Sequence, residues 1–275
     1  MGLRRVAIVG AGITKFYRYA QETPKELAYE ATKMALDSCE MTLKDIDCVA
    51  LGTAPDAFDG VHMNGEYLTD GAGAFQKPFM RHYVGGGTGV MSPIHGWFHV
   101  ASGMFDTCLV IAEEKMSSAF PHPAGAFLTI FDHTTEQPLF PTLIWIFAIE
   151  MHRFMHRHGY TKEEIAQVAV KNKRNALDHP SAQLGAEITV KDVLDSEMMA
   201  YPVNRLDISP TSDGASAIIL ASENVARRVT EKPVWIDGIG YCLDSAYWCN
   251  RDLYYPDYVE VAARNAFEMA GRMEP

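Results

Sequence analysis

The segment with the clearest chemical potential is Tyr83-Val-Gly-Gly-Gly-Thr-Gly89, preceded by His82. Glycine at 85, 86, 87 and 89 lets backbone approach a bound group closely or adopt φ > 0, and a Cβ opposes both. An apolar helical pattern follows. The unpaired amides at a helix start suit an anionic or oxyanionic centre. His82, Gly85, Gly86, Gly87, Thr88 and Gly89 are therefore candidate substrate-binding residues; the competing reading is a turn that needs only tight packing. A second polar junction is Asp207-Ile-Ser-Pro-Thr-Ser-Asp-Gly-Ala-Ser-Ala217, where Ser212 and Asp213 lie in a turn feeding small residues into a strand.

Other clusters carry less. Gly10-Ala-Gly12-Ile-Thr-Lys15 imitates a dinucleotide fingerprint, but Lys15 replaces the last glycine and no acidic residue follows at the usual distance. A tight turn after a first strand is the favoured reading there. His152 and His156 have a zinc-compatible spacing, yet Arg153 and Arg157 stand beside them, so a solvated basic helix end is favoured and no metal site is expected. Cys242 and Cys249 lie in an aromatic segment with no histidine nearby, which suits buried structural cysteine better than a nucleophile.

The elements that must hold these residues follow from apolar patterning. Val6–Gly10, residues 46–52, 82–84, 107–112, 216–221 and 234–239 read as strands. Helices are expected over residues 24–39, 92–103, 142–158, 161–176 and 259–270, with Thr161 and Glu164 forming a capping box. Their alternation predicts a layered, mostly parallel α/β sheet. Residues 117–141 read as a long irregular stretch, of the kind that serves as a lid or binding loop.

The chain has 275 residues, 24 Lys+Arg against 35 Asp+Glu and a net charge of −11, which fits a globular enzyme and argues against nucleic-acid binding. Its five cysteines are odd in number and form no Cys-x-x-Cys pair, so a disulfide framework is not expected. The longest apolar stretch, Leu139 to Ile149, is too short to cross a bilayer, and the first residues lack a signal-peptide pattern. A cytoplasmic location is the expectation.

Together the segments resemble the thiolase superfamily, most closely the sterol-carrier/lipid-transfer-protein type of thiolase. The resemblance is carried by Val6-Ala-Ile-Val-Gly-Ala-Gly-Ile-Thr-Lys-Phe16, Val100-Ala-Ser-Gly103, Glu113-Glu-Lys-Met116 and Arg153-Phe-Met-His-Arg-His-Gly159. It continues through Val168-Ala-Val-Lys-Asn172, Ile188-Thr-Val-Lys-Asp-Val-Leu194 and Ser209-Pro-Thr-Ser-Asp-Gly-Ala-Ser-Ala217. It implies a layered α/β/α/β/α sandwich of two similar halves. Residues 1–116 and 201–231 are then the first half, residues 117–200 an inserted loop domain, and residues 232–275 the start of a second, truncated half. Either sequence beyond Pro275 or another chain is expected to complete it.

The resemblance also implies activity on CoA thioesters, with coenzyme A as part of the substrate, no covalently bound cofactor, and a homodimeric assembly. Two departures matter. Alignment on Thr88-Gly89 and Val100-Ala-Ser-Gly103 places Gly86 where thiolases carry their nucleophilic cysteine, and the later histidine motif is absent. A cysteine-less group with a similar His-Tyr-Gly-Gly-Gly pattern comprises retro-aldolases that cut CoA-linked steroid side chains in complex with a small OB-fold/zinc-ribbon protein. Retro-aldol cleavage is therefore the implied chemistry. Tyr247 is nominated as an acid–base residue, and His122 as a lining residue of the substrate and CoA tunnel. Thiolysis by a nucleophile from elsewhere and a non-catalytic subunit remain the alternatives.

Overall fold

The computed structural model describes residues 2–54, 58, 63–120, 122–245 and 247–272. The chain divides into two compact units: Met1–Phe120, Ser212–Tyr241 and Ala262–Pro275 in the first, Pro121–Thr211 and Cys242–Val261 in the second.

The first unit contains, in chain order, β1 (Val6–Ile13), α1 (Pro24–Asp37), β2 (Cys48–Thr53), α2 (Asn64–Leu68), β3 (Phe79–His82), α3 (Thr88–Ala101) and β4 (Thr107–Lys115). Its sheet is completed by later elements. Numbered along the whole chain, these are β7 (Asp213–Ser222), α8 (Glu223–Val229) and β8 (Val234–Ile236). The strand order is β3-β2-β4-β7-β1-β8. β2 pairs in parallel with β3 and β4, whereas β7 is antiparallel to both β4 and β1, and β8 is antiparallel to β1. The sheet is thus mixed rather than mostly parallel. The reason is local: the chain leaves the sheet at Lys115 and returns at Asp213, its register partner, so β7 has to run back the other way.

α1 packs on one face of this sheet and α3 on the other. Leu27, Ala28, Ala31 and Ala35 of α1 meet Val49, Leu51, Leu109, Ile111 and Ile219. Trp97, Val100 and Ala101 of α3 meet Ala50, Cys108, Val110 and Leu220. Alternate strand residues feed the two cores, as the pleat requires. Thr23 caps α1, and its side chain and Glu26 satisfy each other's backbone amides.

Gly10 and Gly12 lie inside β1, not in a turn. A Cβ at Gly12 would fall 2.5 Å from the Ala31 oxygen, and one at Gly10 would fall 2.6 Å from the Ala35 oxygen. These glycines exist so that α1 can lie against the strand, and that contact leaves no room for a pyrophosphate. The same arrangement recurs near the chain end. There a Cβ on Gly240 would fall 1.9 Å from the Ala262 oxygen and one on Gly238 2.1 Å from the Ala266 oxygen, on the helix α9 (Asp257–Met269). A Gly-x-Gly against two alanines one helical turn apart is therefore used twice.

The second unit holds α4 (Pro123–Leu128), α5 (Leu143–His158), α6 (Lys162–Leu177), α7 (Val190–Asp195) and a two-stranded pair, β5 (Met198–Ala200) with β6 (Val203–Asn204). α4 lies in the stretch expected to be irregular; its signal was Pro123 at the first helical position after His122. The capping box of Thr161 and Glu164 opens α6 as the spacing predicts. The first residues of α9 belong to this unit and the rest to the first.

Candidate active site

The carboxyl ends of β1, β2, β3 and β4 and the amino end of β7 share one edge of the first unit's sheet. One row of register partners there runs His82, Gly52, Ala112, Ser216, Ile13. β3 ends at His82, so the strand lies over Phe79–His82 and the expected strand 82–84 overlaps it at His82 alone. The Val84 amide donates to Thr88 Oγ1 at 3.0 Å instead of to a neighbouring strand. The Thr88 hydroxyl in turn donates to the Gly85 oxygen at 2.7 Å. Amides of Gly87 and Thr88 donate to Val84 and Gly85 at 3.0 and 3.2 Å, so the turn closes on itself.

α3 therefore starts at Thr88, a turn earlier than expected, with Gly87 as its N-cap. Thr88, Ser92, Gly96 and Val100 form an i, i+4 stripe of mostly small, buried residues facing the sheet. Gly96 lets the helix sit low, since a Cβ there would lie 2.3 Å from Val110 Cγ2. Pro93 has no amide hydrogen to give Gly89, so that carbonyl loses its usual helix donor.

Within the turn only Gly85 adopts a left-handed conformation, at φ +52°. A Cβ on Gly86 or Gly89 would meet nothing within 4 Å. The turn is thus more open than its own packing needs. The closing bonds of the turn use neither the Gly86 nor the Gly89 amide.

His82 has both ring nitrogens engaged, by Ser92 Oγ at 3.0 Å and by His95 Nδ1 at 2.9 Å. Burial holds the His82 and His99 imidazoles below the usual histidine range. His95 is brought down to about 4, first by burial and then by repulsion from His82 and His99. Tyr83 is exposed, and its phenol is pushed up by partial burial and by the Glu114 carboxylate. Glu114 accepts from the Ala54 amide at 3.2 Å. Sequence reasoning did not single out Ser92, His95 or Glu114 as site residues. The available signal was small Gly52 and Ala112 on the rows beside His82.

Asp213 is fully buried. It accepts from the amides of Ala20 and Ser117, both at 2.9 Å, and from the Ser117 hydroxyl at 2.5 Å. Lys115 Nζ lies 3.6 Å from it. The carboxylate thus ties three segments together at the sheet edge, and Ser212 precedes it directly.

Tyr247 and His122 belong to the second unit. The Tyr247 hydroxyl donates to Asp132 Oδ2 at 3.2 Å, and that negative charge pushes the phenol up. His122 caps α4, its Nδ1 accepting from the Ala124 amide at 3.1 Å. Also in this unit, a cleft of ≈ 420 Å³ is lined by Phe147, Glu150, Phe154, Arg251 and Tyr258 among others. Arg251 lies over the Trp248 ring at 4.4 Å and pairs with Asp244 at 3.0 Å. His152 and His158 contact aromatic rings, Tyr201 and Phe154 respectively. Among the described residues no group of three or more His, Cys, Asp or Glu is placed to hold a metal ion, and no helix is long and apolar enough to cross a membrane.

Residues 6–224 match the family model of the thiolase N-terminal domain. The chain belongs to the thiolase family. It is 32% identical over 273 residues to an acetyl-CoA acetyltransferase of Methanothermobacter thermautotrophicus, covering 98% of this chain and 70% of that protein. It is 28% identical over 261 residues to the 17-hydroxy-3-oxo-4-pregnene-20-carboxyl-CoA lyase of Mycobacterium tuberculosis, covering 91% of this chain and 64% of that one. Among solved structures it resembles the Ltp2-ChsH2(DUF35) aldolase with a TM-score of 0.80 at 21% identity, over 97% of this chain and 70% of that chain. The thiolase resemblance and the layered α/β fold expected from sequence are thereby confirmed.

Proposed function

We propose that this thiolase-family enzyme breaks or forms a C–C bond next to a CoA thioester without a cysteine nucleophile at the β3–α3 turn, most simply by retro-aldol cleavage. The observation that carries the reading is Gly86. The family resemblance aligns it with the nucleophile's position, and a Cβ there would meet no atom within 4 Å, so packing does not account for the glycine. In a retro-aldol step a base removes the β-hydroxyl proton, the Cα–Cβ bond breaks, and Cβ becomes a carbonyl carbon. The bonding pair passes into the thioester enolate, which is then protonated at Cα. No acyl-enzyme and no redox partner are needed. Turn amides left out of the turn's own closure, Gly86 and Gly89, suit the enolate oxygen. Tyr247 serves as acid–base residue; with its phenol pushed up by Asp132 it keeps its proton at neutral pH, which favours the donor role.

The lyase relative and the aldolase neighbour support this chemistry. The neighbour, a pairing with ChsH2(DUF35), supports a two-component assembly in which a small OB-fold/zinc-ribbon protein is the partner. The acetyltransferase relative supports a second reading, thiolysis of a β-ketoacyl-CoA, with exposed Cys242 or Cys249 as nucleophile. Incubation of the full protein with 3-hydroxyacyl-CoA thioesters, followed by product analysis, separates the two. Release of a carbonyl compound and a shortened acyl-CoA without added free CoA supports retro-aldol cleavage. Cleavage that requires free CoA and a β-keto substrate rejects it.

A further inference from the structure

His82 stands at the join between β3 and the glycine turn, and the hydrogens around it can be assigned from the network. The Ser92 hydroxyl donates its single hydrogen to the Thr88 oxygen at 2.8 Å. Ser92 Oγ is then an acceptor for His82 Nε2–H across 3.0 Å. A neutral His82 therefore has a bare Nδ1, and the hydrogen bond of 2.9 Å between the two rings takes its hydrogen from His95 Nδ1. The rings meet edge-on, with centroids 4.6 Å apart. In this assignment His95 Nε2 is bare and its 3.2 Å approach to Met80 Sδ is not a hydrogen bond; the opposite tautomer would make it one, at the cost of turning the Ser92 hydroxyl away from Thr88. Gly52 makes the room: a Cβ there would fall 2.1 Å from Ser92 Oγ and 3.0 Å from His82 Nε2.

We propose that Ser92 and His95 are positioning residues which clamp the His82 imidazole in one tautomer and, through Thr88, hold the glycine turn in its open form. The path is continuous: His95 to His82, His82 to Ser92, Ser92 to the Thr88 carbonyl, and the Thr88 side chain to both Val84 and Gly85. Each link restrains the next, so the turn's geometry is fixed from the sheet side, leaving the Gly86 and Gly89 positions clear. The clamp needs uncharged imidazoles, and desolvation at His82, His95 and His99 supplies that condition at neutral pH. The clamp's purpose rests on the reading of this turn as the reaction site; its existence does not.

The test is heteronuclear NMR of the full protein with ¹⁵N-labelled histidine, combined with amide exchange over residues 84–88. The wild type is expected to show Nε2–H for His82 and Nδ1–H, the less common tautomer, for His95. In His95→Ala, amide exchange over the turn accelerates by about tenfold or more. Turnover of 3-hydroxyacyl-CoA falls on the order of 10²-fold, with KM little changed. His95→Asn, whose amide can donate from nearly the same place, restores both. Ser92→Ala, a smaller change, releases the His82 tautomer while His95 stays in place. An Nε2–H tautomer at His95, or unchanged turn exchange in both His95→Ala and Ser92→Ala, overturns the clamp whatever the turnover. Expected tautomers and exchange in a wild type that cleaves no 3-hydroxyacyl-CoA uphold the clamp and reject the retro-aldolase reading.

Discussion

At Gly86 the side chain that is missing costs the fold nothing, because a Cβ there meets no atom within 4 Å. Gly86→Cys is therefore expected to fold with an unchanged melting temperature. Its thiol would precede the first turn of α3, where the helix dipole favours thiolate. The variant should react with iodoacetamide faster than any native cysteine and take up an acyl group from acyl-CoA; labelling kinetics and intact-protein mass spectrometry read both. Tyr247 is exposed and its side chain donates one hydrogen bond, to Asp132, so Tyr247→Phe should leave stability within about 0.5 kcal/mol while lowering kcat at least about tenfold. An unaltered kcat removes Tyr247 from the reaction. The glycine turn was legible in the sequence because its composition exceeds what a turn needs. The His82–Ser92–His95 contacts were not, since residues ten and thirteen apart meet only after α3 folds back along β3.

The elements carry two further consequences. β1 and α1 touch through Gly10 and Gly12, where added methyl groups would overlap helix backbone rather than a flexible side chain. Gly12→Ala is expected to destabilise by roughly 1–3 kcal/mol through overpacking, measured as a shift in urea midpoint; a neutral result would show that α1 can retreat. The Gly-x-Gly pattern was visible in the sequence, but its purpose was not. A turn, a phosphate cradle and a close helix contact all ask for glycine, and only the position of Ala31 and Ala35 decides among them. On α3 and β3, His82, His95 and His99 all have folded-state values depressed below the ordinary histidine value of 6.5. The unfolded chain then binds more protons between pH 6.5 and about 4, so stability is full above that window and falls as pH drops through it. Unfolding midpoints measured across this range should decline with acid, and His95→Asn should flatten the slope.

For the molecule as a whole, the alternation of strand and helix and the family motifs were enough to place the chain among layered α/β thiolases. Strand direction was not legible, because a buried antiparallel β7 has the same residue pattern as a parallel strand. Its direction is set by where the chain re-enters the sheet, at Asp213 beside Lys115. The second unit is not contiguous in the chain either: Cys242–Val261 joins Pro121–Thr211 through contacts with residues far away in sequence, which no local pattern announces. The claim on which the functional reading depends is that reaction at the β3–α3 turn proceeds with no covalent acyl-enzyme. The most direct measurement is turnover of 3-hydroxyacyl-CoA by the Cys242→Ser/Cys249→Ser double variant, with intact-protein mass spectrometry during turnover. Undiminished cleavage with no acyl adduct on any remaining cysteine is the predicted result; loss of activity in the double variant, or a stable acyl adduct on a cysteine of the wild type, contradicts it.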